Sequence, residues 1–375
     1  MTSAPRPLKL LCLLCSIQFA ARAQTEDLAA FLEPLRAKNN FPALAAAVVR
    51  NHQTIALGVT GFRKSGGTEK VTPDDKFHIG SCTKSMTATL AGILVEHGKI
   101  SWTTTIIEIF PELKATLHPD YQTVTLEQLL SHRGGVPTDL NADGLWGRLF
   151  NDRRSTPSEQ RMNLIRGVLT KPPAVAPGTK YLYSNAGVSI AGMMLERVGK
   201  VPWETLIKQM LFDPLGMTSA GFGVQASPGK TDQPWPHLLR DGKPVPVPPG
   251  DSADNPPAIA PAGTVHCSIG DLAKYVALHA HGEQSGTLLK PDTMKKLHRP
   301  MPGQEYALGW IVVNRPWGGG AVLNHAGSNT MNYTLIWIAP KKDFGVIVET
   351  NIAGKGVDTA LDQIVGELIQ KYLVK

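Results

Sequence analysis

The chain has 375 residues, of which 42% are hydrophobic and 18% charged, with a formal net charge of +7 and a pI near 9.1. That composition supplies a sizeable core and excludes a disordered or low-complexity protein. The positive excess is spread out, without a basic cluster interleaved with aromatics, so nothing in it argues for a nucleic-acid partner.

The first residues read as an address. Arg6 and Lys9 precede the apolar run 10–15, and Ala21 and Ala23 offer small residues before Gln24. This is the pattern of a secretory signal over residues 1–23, cut after Ala23. The run is too short to cross a bilayer, and no later stretch reaches that length, so the expectation is a periplasmic or secreted protein with no stable membrane span. An uncleaved anchor is the alternative. Leu14 stands where a lipidated Cys15 would want a small residue. Removing residues 1–23 takes away Arg6, Lys9 and Arg22 and no acid, which leaves a mild +4. Of four cysteines only Cys82 and Cys267 then remain, expected as two small buried thiols.

A helix is expected over about 26–38, followed by a hairpin of residues 43–50 and 53–61 that turns at Asn51-His52. In the stretch from Phe77 to Leu94, Met86, Leu90, Ile93 and Leu94 recur at helical spacing. Helical signals continue at 125–130 and 185–198. Residues 233–263, crowded with proline and glycine, suggest a long surface loop. Ser268 to Asp271 reads as a capping box for a helix running to about His281. Strand signals return at 306–313, 322–325, 333–338 and 344–349, and a last amphipathic helix covers about 357–373. The fold class is therefore α+β: an α/β sandwich whose antiparallel sheet, built from both ends of the chain, is flanked by helices and carries a mainly helical insertion. Residues 24–80 and 264–375 form the α/β part and 81–263 the helical part.

Ser81 and Lys84 sit three residues apart where the first of these helices begins, so one face carries both. A serine hydroxyl becomes a good nucleophile when a base takes its proton, and a lysine held neutral by its surroundings can be that base. Taken alone, the pair reads as a helix cap and a solvated charge. Two further motifs change this. Tyr183-Ser-Asn185 precedes a helix and offers a phenol able to relay a proton and a carboxamide able to meet a substrate amide. His325-Ala-Gly327 follows a predicted strand, where a glycine lets substrate approach and the Ser328 N–H can share an oxyanion with that of Ser81. His266, His279, His281 and His298 lack the spacing of a zinc hydrolase and read as surface or structural histidines.

Ser81-Cys-Thr-Lys84, Tyr183-Ser-Asn185 and His325-Ala-Gly327, in this order, resemble the serine β-lactamase and penicillin-binding-protein superfamily, in particular its class C-like branch. Val71-Thr-Pro, Leu129 to Pro137, Leu215-Gly-Met217 and Pro261-Ala-Gly263 look like that family's connecting landmarks. The resemblance implies Ser81 as acylated nucleophile, Lys84 as its proton acceptor and Tyr183 as partner base and later proton donor. It further implies Asn185, His325 and Gly327 around the substrate, and an oxyanion hole from the amides of Ser81 and Ser328. No metal or other cofactor is implied, and the partner is a small ester, amide or short peptide. His325 departs from the lysine usual in β-lactamases and carboxypeptidases. A mostly neutral histidine holds a carboxylate poorly, so a neutral ester or amide is the first expectation. The alternatives are a D-Ala-D-Ala carboxypeptidase, a D-aminopeptidase, a weak β-lactamase, or a non-hydrolytic protein that binds or senses peptidoglycan fragments.

Overall fold

The computed structural model describes residues 25–284 and 288–374, and the expected signal segment lies outside them. The described residues begin with β1 (Glu26–Asp27), α1 (Ala29–Lys38) and the hairpin β2 (Ala43–Arg50) and β3 (Gln53–Gly61). The first helix starts three residues later than its periodicity suggests. Glu26 and Asp27 pair in parallel with Ala56 and Leu57, and the Asp27 carboxylate accepts the Ala29 N–H at 2.8 Å, so strand pairing holds these residues out of the helix. The hairpin turns where expected, with Asn51 and His52 both left-handed at φ 50° and 63°.

The middle of the chain is helical, led by α2 (Thr83–Glu96) and α3 (Asn185–Gly199). There follow α4 (Ile269–His281), β4 (Ile311–Arg315), β5 (Gly320–Ser328), β6 (Tyr333–Ala339), β7 (Phe344–Thr350) and α5 (Val357–Ile369). Seven strands form one sheet in the order β1-β3-β2-β7-β6-β5-β4, antiparallel except at β1. Strands from both ends of the chain thus meet at the β2–β7 seam.

Alternation along β2 explains its place. Leu44, Ala46 and Val48 pack with Leu32, Val346, Leu361 and Leu368 under α1 and α5. Ala43, Ala45, Ala47 and Val49 join Ile269, Leu272, Val276 and Ile347 under α4. All seven are fully buried, so the strand must be apolar on both faces, and alanine lets helices approach closely. Ser268 caps α4 through the Asp271 N–H. The returning half of the capping box is missing because the Asp271 carboxylate takes the Ser219 N–H instead, at 2.7 Å.

Residues 233–263 differ from the expected loop. His237–Arg240 and Lys243–Pro246 form a hairpin around Asp241-Gly242, both left-handed, a turn signal hidden among the prolines. Pro244 and Pro246 fit because that strand ends its three-stranded sheet and need not donate on its free side. Ala260 to Gly263 are buried and pack against α3 and α2, with Pro261 filling the space above Gly192. Cys82 and Cys267 are buried and unbonded. Among the described residues no helix is long and apolar enough to cross a membrane.

Candidate active site

Ser81 lies in one turn of 3-10 helix, Gly80–Cys82, that leads into α2. Neither helix start has a side-chain cap, so the Ser81 hydroxyl is not consumed as one. Its Oγ instead accepts from Lys84 Nζ at 2.9 Å and from the Tyr183 hydroxyl at 2.9 Å. Lys84 is 1% exposed and also donates to Asn185 Oδ1 at 2.7 Å and to the Ala262 carbonyl at 2.8 Å. Burial pulls its pKa down to about 7, since no carboxylate is there to hold the charge. The carbonyl comes from the segment that composition reads as loop.

Tyr183 and Asn185 are held by their own backbone. Ser184 caps α3 through the Gly187 N–H and donates its hydroxyl to the Pro137 carbonyl at 2.7 Å. The Ser184 N–H goes to His132 Nδ1 at 3.1 Å, and the His132 ring packs against those of Tyr183 and Tyr306, with centroids 4.4 and 4.7 Å away. Burial pushes the Tyr183 phenol up, against the opposing hydrogen bond with Ser81, so it stays protonated at neutral pH. Asn185 meets Lys84 through its carbonyl oxygen.

The third motif lies within β5 rather than after it. Strand β4 pairs only with Gly320 to Asn324, which leaves His325 to Ser328 as an edge. The turn before Ser81 packs directly on it. A Cβ on Gly327 would lie 1.9 Å from the Ile79 carbonyl oxygen and 2.9 Å from the Ser81 nitrogen, and one on Gly80 would lie 2.3 Å from the Ser328 nitrogen. Only glycine permits this approach, and it brings the Ser81 and Ser328 amides together. A buried chain supports the junction: Gly80 N–H donates to His78 Nδ1 at 3.1 Å, His78 Nε2 donates to Asp254 at 3.0 Å, and Asn329 donates to Asp254 at 3.2 Å.

His325 is 4% exposed. Its Nδ1 is 2.7 Å from the Ala326 carbonyl oxygen, which can only accept, so Nδ1 carries the proton and Nε2 accepts from the Tyr306 hydroxyl at 3.2 Å. Burial, aided by Lys84, pulls its pKa down to about 3. The ring is neutral, with both nitrogens engaged. A cavity of about 370 Å³ behind Tyr306 is lined by Tyr181, Gly303, Gln304, Glu305, Tyr306 and Ile311, and none of the seven motif residues lines it.

All seven residues singled out from sequence therefore fall around one junction of α2, α3 and β5. Tyr306, expected to open a strand that instead begins at Ile311, carried no sequence signal of a role here, nor did His78 and Asp254, and His132 lay unassigned within the landmark 129–137. The other sequence histidines lie apart: His279 Nδ1 and His298 Nε2 meet at 2.8 Å, and His266 bonds the Gly223 carbonyl.

The family model described as Beta-lactamase matches residues 28–370. "Protein flp" of Staphylococcus aureus (strain MRSA252) is 21% identical over 340 residues, covering 88% of this chain and 64% of that protein. "Unguisins hydrolase ungD'" of Aspergillus campestris (strain IBT 28561) is 26% identical over 346 residues, covering 87% and 61%. The chain thus spans less than two thirds of the length of these relatives. The octameric penicillin-binding protein homologue from Pyrococcus abyssi superposes with a TM-score of 0.72 at 24% identity, over 90% of this chain and 76% of that one. SurE gives 0.73 at 23%, over 91% and 74%; at such identities the likeness is one of fold. With nearly every described residue inside the matched span, the chain belongs to the Beta-lactamase family, in the serine β-lactamase and penicillin-binding-protein superfamily.

Proposed function

We propose that the protein is an exported serine hydrolase that forms an acyl-enzyme on an uncharged carboxylic ester or amide. The observation that supports this reading is the double hydrogen bond at Ser81 Oγ, from Lys84 and Tyr183. Asn185 Oδ1 and the Ala262 carbonyl can only accept, so they fix two Lys84 N–H groups and turn the third position toward Ser81. In the amine form that position is a lone pair.

Ser81 passes its proton to Lys84 as Oγ bonds to the substrate carbonyl carbon, and the C=O pair moves onto oxygen between the Ser81 and Ser328 amides. Collapse breaks the bond to the leaving group, which takes the Tyr183 proton, and Lys84 returns its proton to Tyr183. Water then repeats the sequence on the acyl-enzyme. Because burial keeps Tyr183 protonated, Lys84 is the base and Tyr183 the relay. The engaged, neutral His325 offers no charge to a carboxylate, which favours an uncharged substrate. The relative named a hydrolase supports the class of reaction.

The test is a panel of short-chain nitrophenyl esters, a chromogenic cephalosporin and D-alanyl peptides. Turnover of the neutral esters is expected to dominate. Turnover of the carboxylate-bearing substrates alone would overturn the substrate assignment, and no turnover of any of them would favour a binding protein. N-terminal sequencing of the exported protein is expected to begin at Gln24.

A further inference from the structure

At the end of the sheet away from Ser81, three distant segments bring ligand atoms together. His52 lies in the β2–β3 turn, His281 ends α4, and Asp343 lies in the turn between β6 and β7. One nitrogen of each imidazole and one carboxylate oxygen all fall within 4.8 Å of one another. We propose that His52, His281 and Asp343 form a site for a divalent transition metal of the zinc class, clipping two sheet turns to the helix packed across the sheet.

Two of the three ligand spacings fit such an ion. A tetrahedral ion with bonds of about 2.0–2.1 Å needs ligand atoms roughly 3.3–3.4 Å apart. Asp343 Oδ2 lies 3.1 Å from His52 Nε2 and 3.4 Å from His281 Nδ1. Among the described residues His281 Nδ1 is buried with no hydrogen-bond partner, while the ring makes a backbone hydrogen bond to Gln284. That leaves Nδ1, 3.4 Å from Asp343 Oδ2, open to act as a ligand, as in a histidine whose other nitrogen is anchored to main chain.

The backbone is shaped for the same arrangement. Asp343 adopts φ 43° and His52 φ 63°, and in the two-residue turn His52 occupies the second position, where glycine is the usual choice. Asp343 is further fixed by its carbonyl, which accepts the Asn51 N–H at 3.0 Å. Two imidazoles and one carboxylate select borderline-soft ions over magnesium or calcium, which take oxygen ligands. The three protein ligands leave a fourth position for water.

The sheet register sets the distance from the nucleophile. Ser328, at the Ser81 junction, pairs with Tyr333, whereas Phe344 pairs with Ala339 at the far end of β6. Seven residues of strand lie between, roughly 20 Å. The clip lies outside the Ser81 site, and its loss leaves the chemistry there alone.

The test strips the purified protein with a chelator and titrates it with zinc chloride. Uptake of one ion per chain and a higher Tm are expected, with ester turnover of the folded protein unchanged; magnesium and calcium chloride produce neither effect. His52→Ala and Asp343→Asn are each expected to weaken zinc uptake by about tenfold or more while leaving the metal-free Tm within about 2 °C. No uptake by the wild type, or undiminished affinity in both variants, would overturn the site whatever the protein hydrolyses.

Discussion

Lys84 Nζ stands 2.9 Å from Ser81 Oγ on a side chain that is 1% exposed. This places the one amine of the site where it cannot be solvated, and its pKa falls to about 7 as a result. The amine, not the ammonium, can take the serine proton. Ester turnover should therefore rise with pH through about 7, as Lys84 loses its proton, and fall on the acid side. Lys84→Met, which keeps the bulk and removes the base, is expected to lower kcat/KM by about a thousandfold and abolish that acid limb. Stopped-flow or plate-reader rates from pH 5 to 9 check both; an unchanged acid limb in the variant would assign it to another group.

His325 is tied to Tyr306 and to the Ala326 carbonyl, so it brings neither a charge nor a free donor to the substrate. Replacing it by His325→Lys is expected to shift the ratio of kcat/KM for carboxylate-bearing substrates over neutral esters upward by about tenfold, or about 1.4 kcal/mol. Parallel rates on a nitrophenyl ester and a chromogenic cephalosporin measure the ratio. An unchanged ratio would mean that position 325 does not set this selectivity.

Gly327 has no room for a side chain, because a Cβ there would lie 1.9 Å from the Ile79 carbonyl oxygen. Gly327→Ala must push the β5 edge away from Ser81, and a displacement of about 1 Å at such a junction costs about a hundredfold in rate. Gly366, inside α5, faces open space: a Cβ there would meet nothing within 4 Å. Gly366→Ala is therefore expected to leave activity intact and to add about 0.5–1 kcal/mol of stability. Rates and melting curves of the two variants separate a local clash from a general intolerance of substitution.

Glu349 is fully buried on β7, with one oxygen bonded to Thr334 at 3.2 Å and the other without a partner among the described residues. Burial pushes its pKa up to about 8. Between the ordinary carboxyl value of about 4.5 and 8, the folded chain holds a proton that the unfolded chain has released, so stability falls as pH rises across that window. Glu349→Gln removes the titration. Its Tm advantage over the wild type should grow from pH 5 to pH 8 by about 2 °C or more; a constant difference would place the ionisation elsewhere.

The hairpin β2–β3 and helices α3 and α4 were legible because each obeys a local rule: period-two or helical apolar spacing, a capping serine, a two-residue turn. What sequence spacing does not reveal is which distant carbonyl or ring completes a side chain. Ala262 holds Lys84 from within a proline-rich segment that composition reads as loop, although Ala260 to Gly263 are buried because they pack on α2 and α3. Tyr306 reaches His325 from a stretch with strand-like residues that stays outside β4. His78 and Asp254 are joined across 176 positions. Such contacts are products of tertiary packing, and no short motif carries them. The motif residues themselves were legible because chemistry constrains them as a set, Ser81 with Lys84 one turn on and Tyr183 just before a helix.

The most direct measurement is intact-protein mass spectrometry of the wild type and of Ser81→Ala, rapidly quenched during turnover of a slowly hydrolysed nitrophenyl ester. The expected result is a transient mass gain of one acyl group in the wild type, mapped by peptide digestion to Ser81, and neither gain nor turnover in Ser81→Ala. Turnover by Ser81→Ala at the wild-type rate, or an acyl group mapped to another residue, would contradict it.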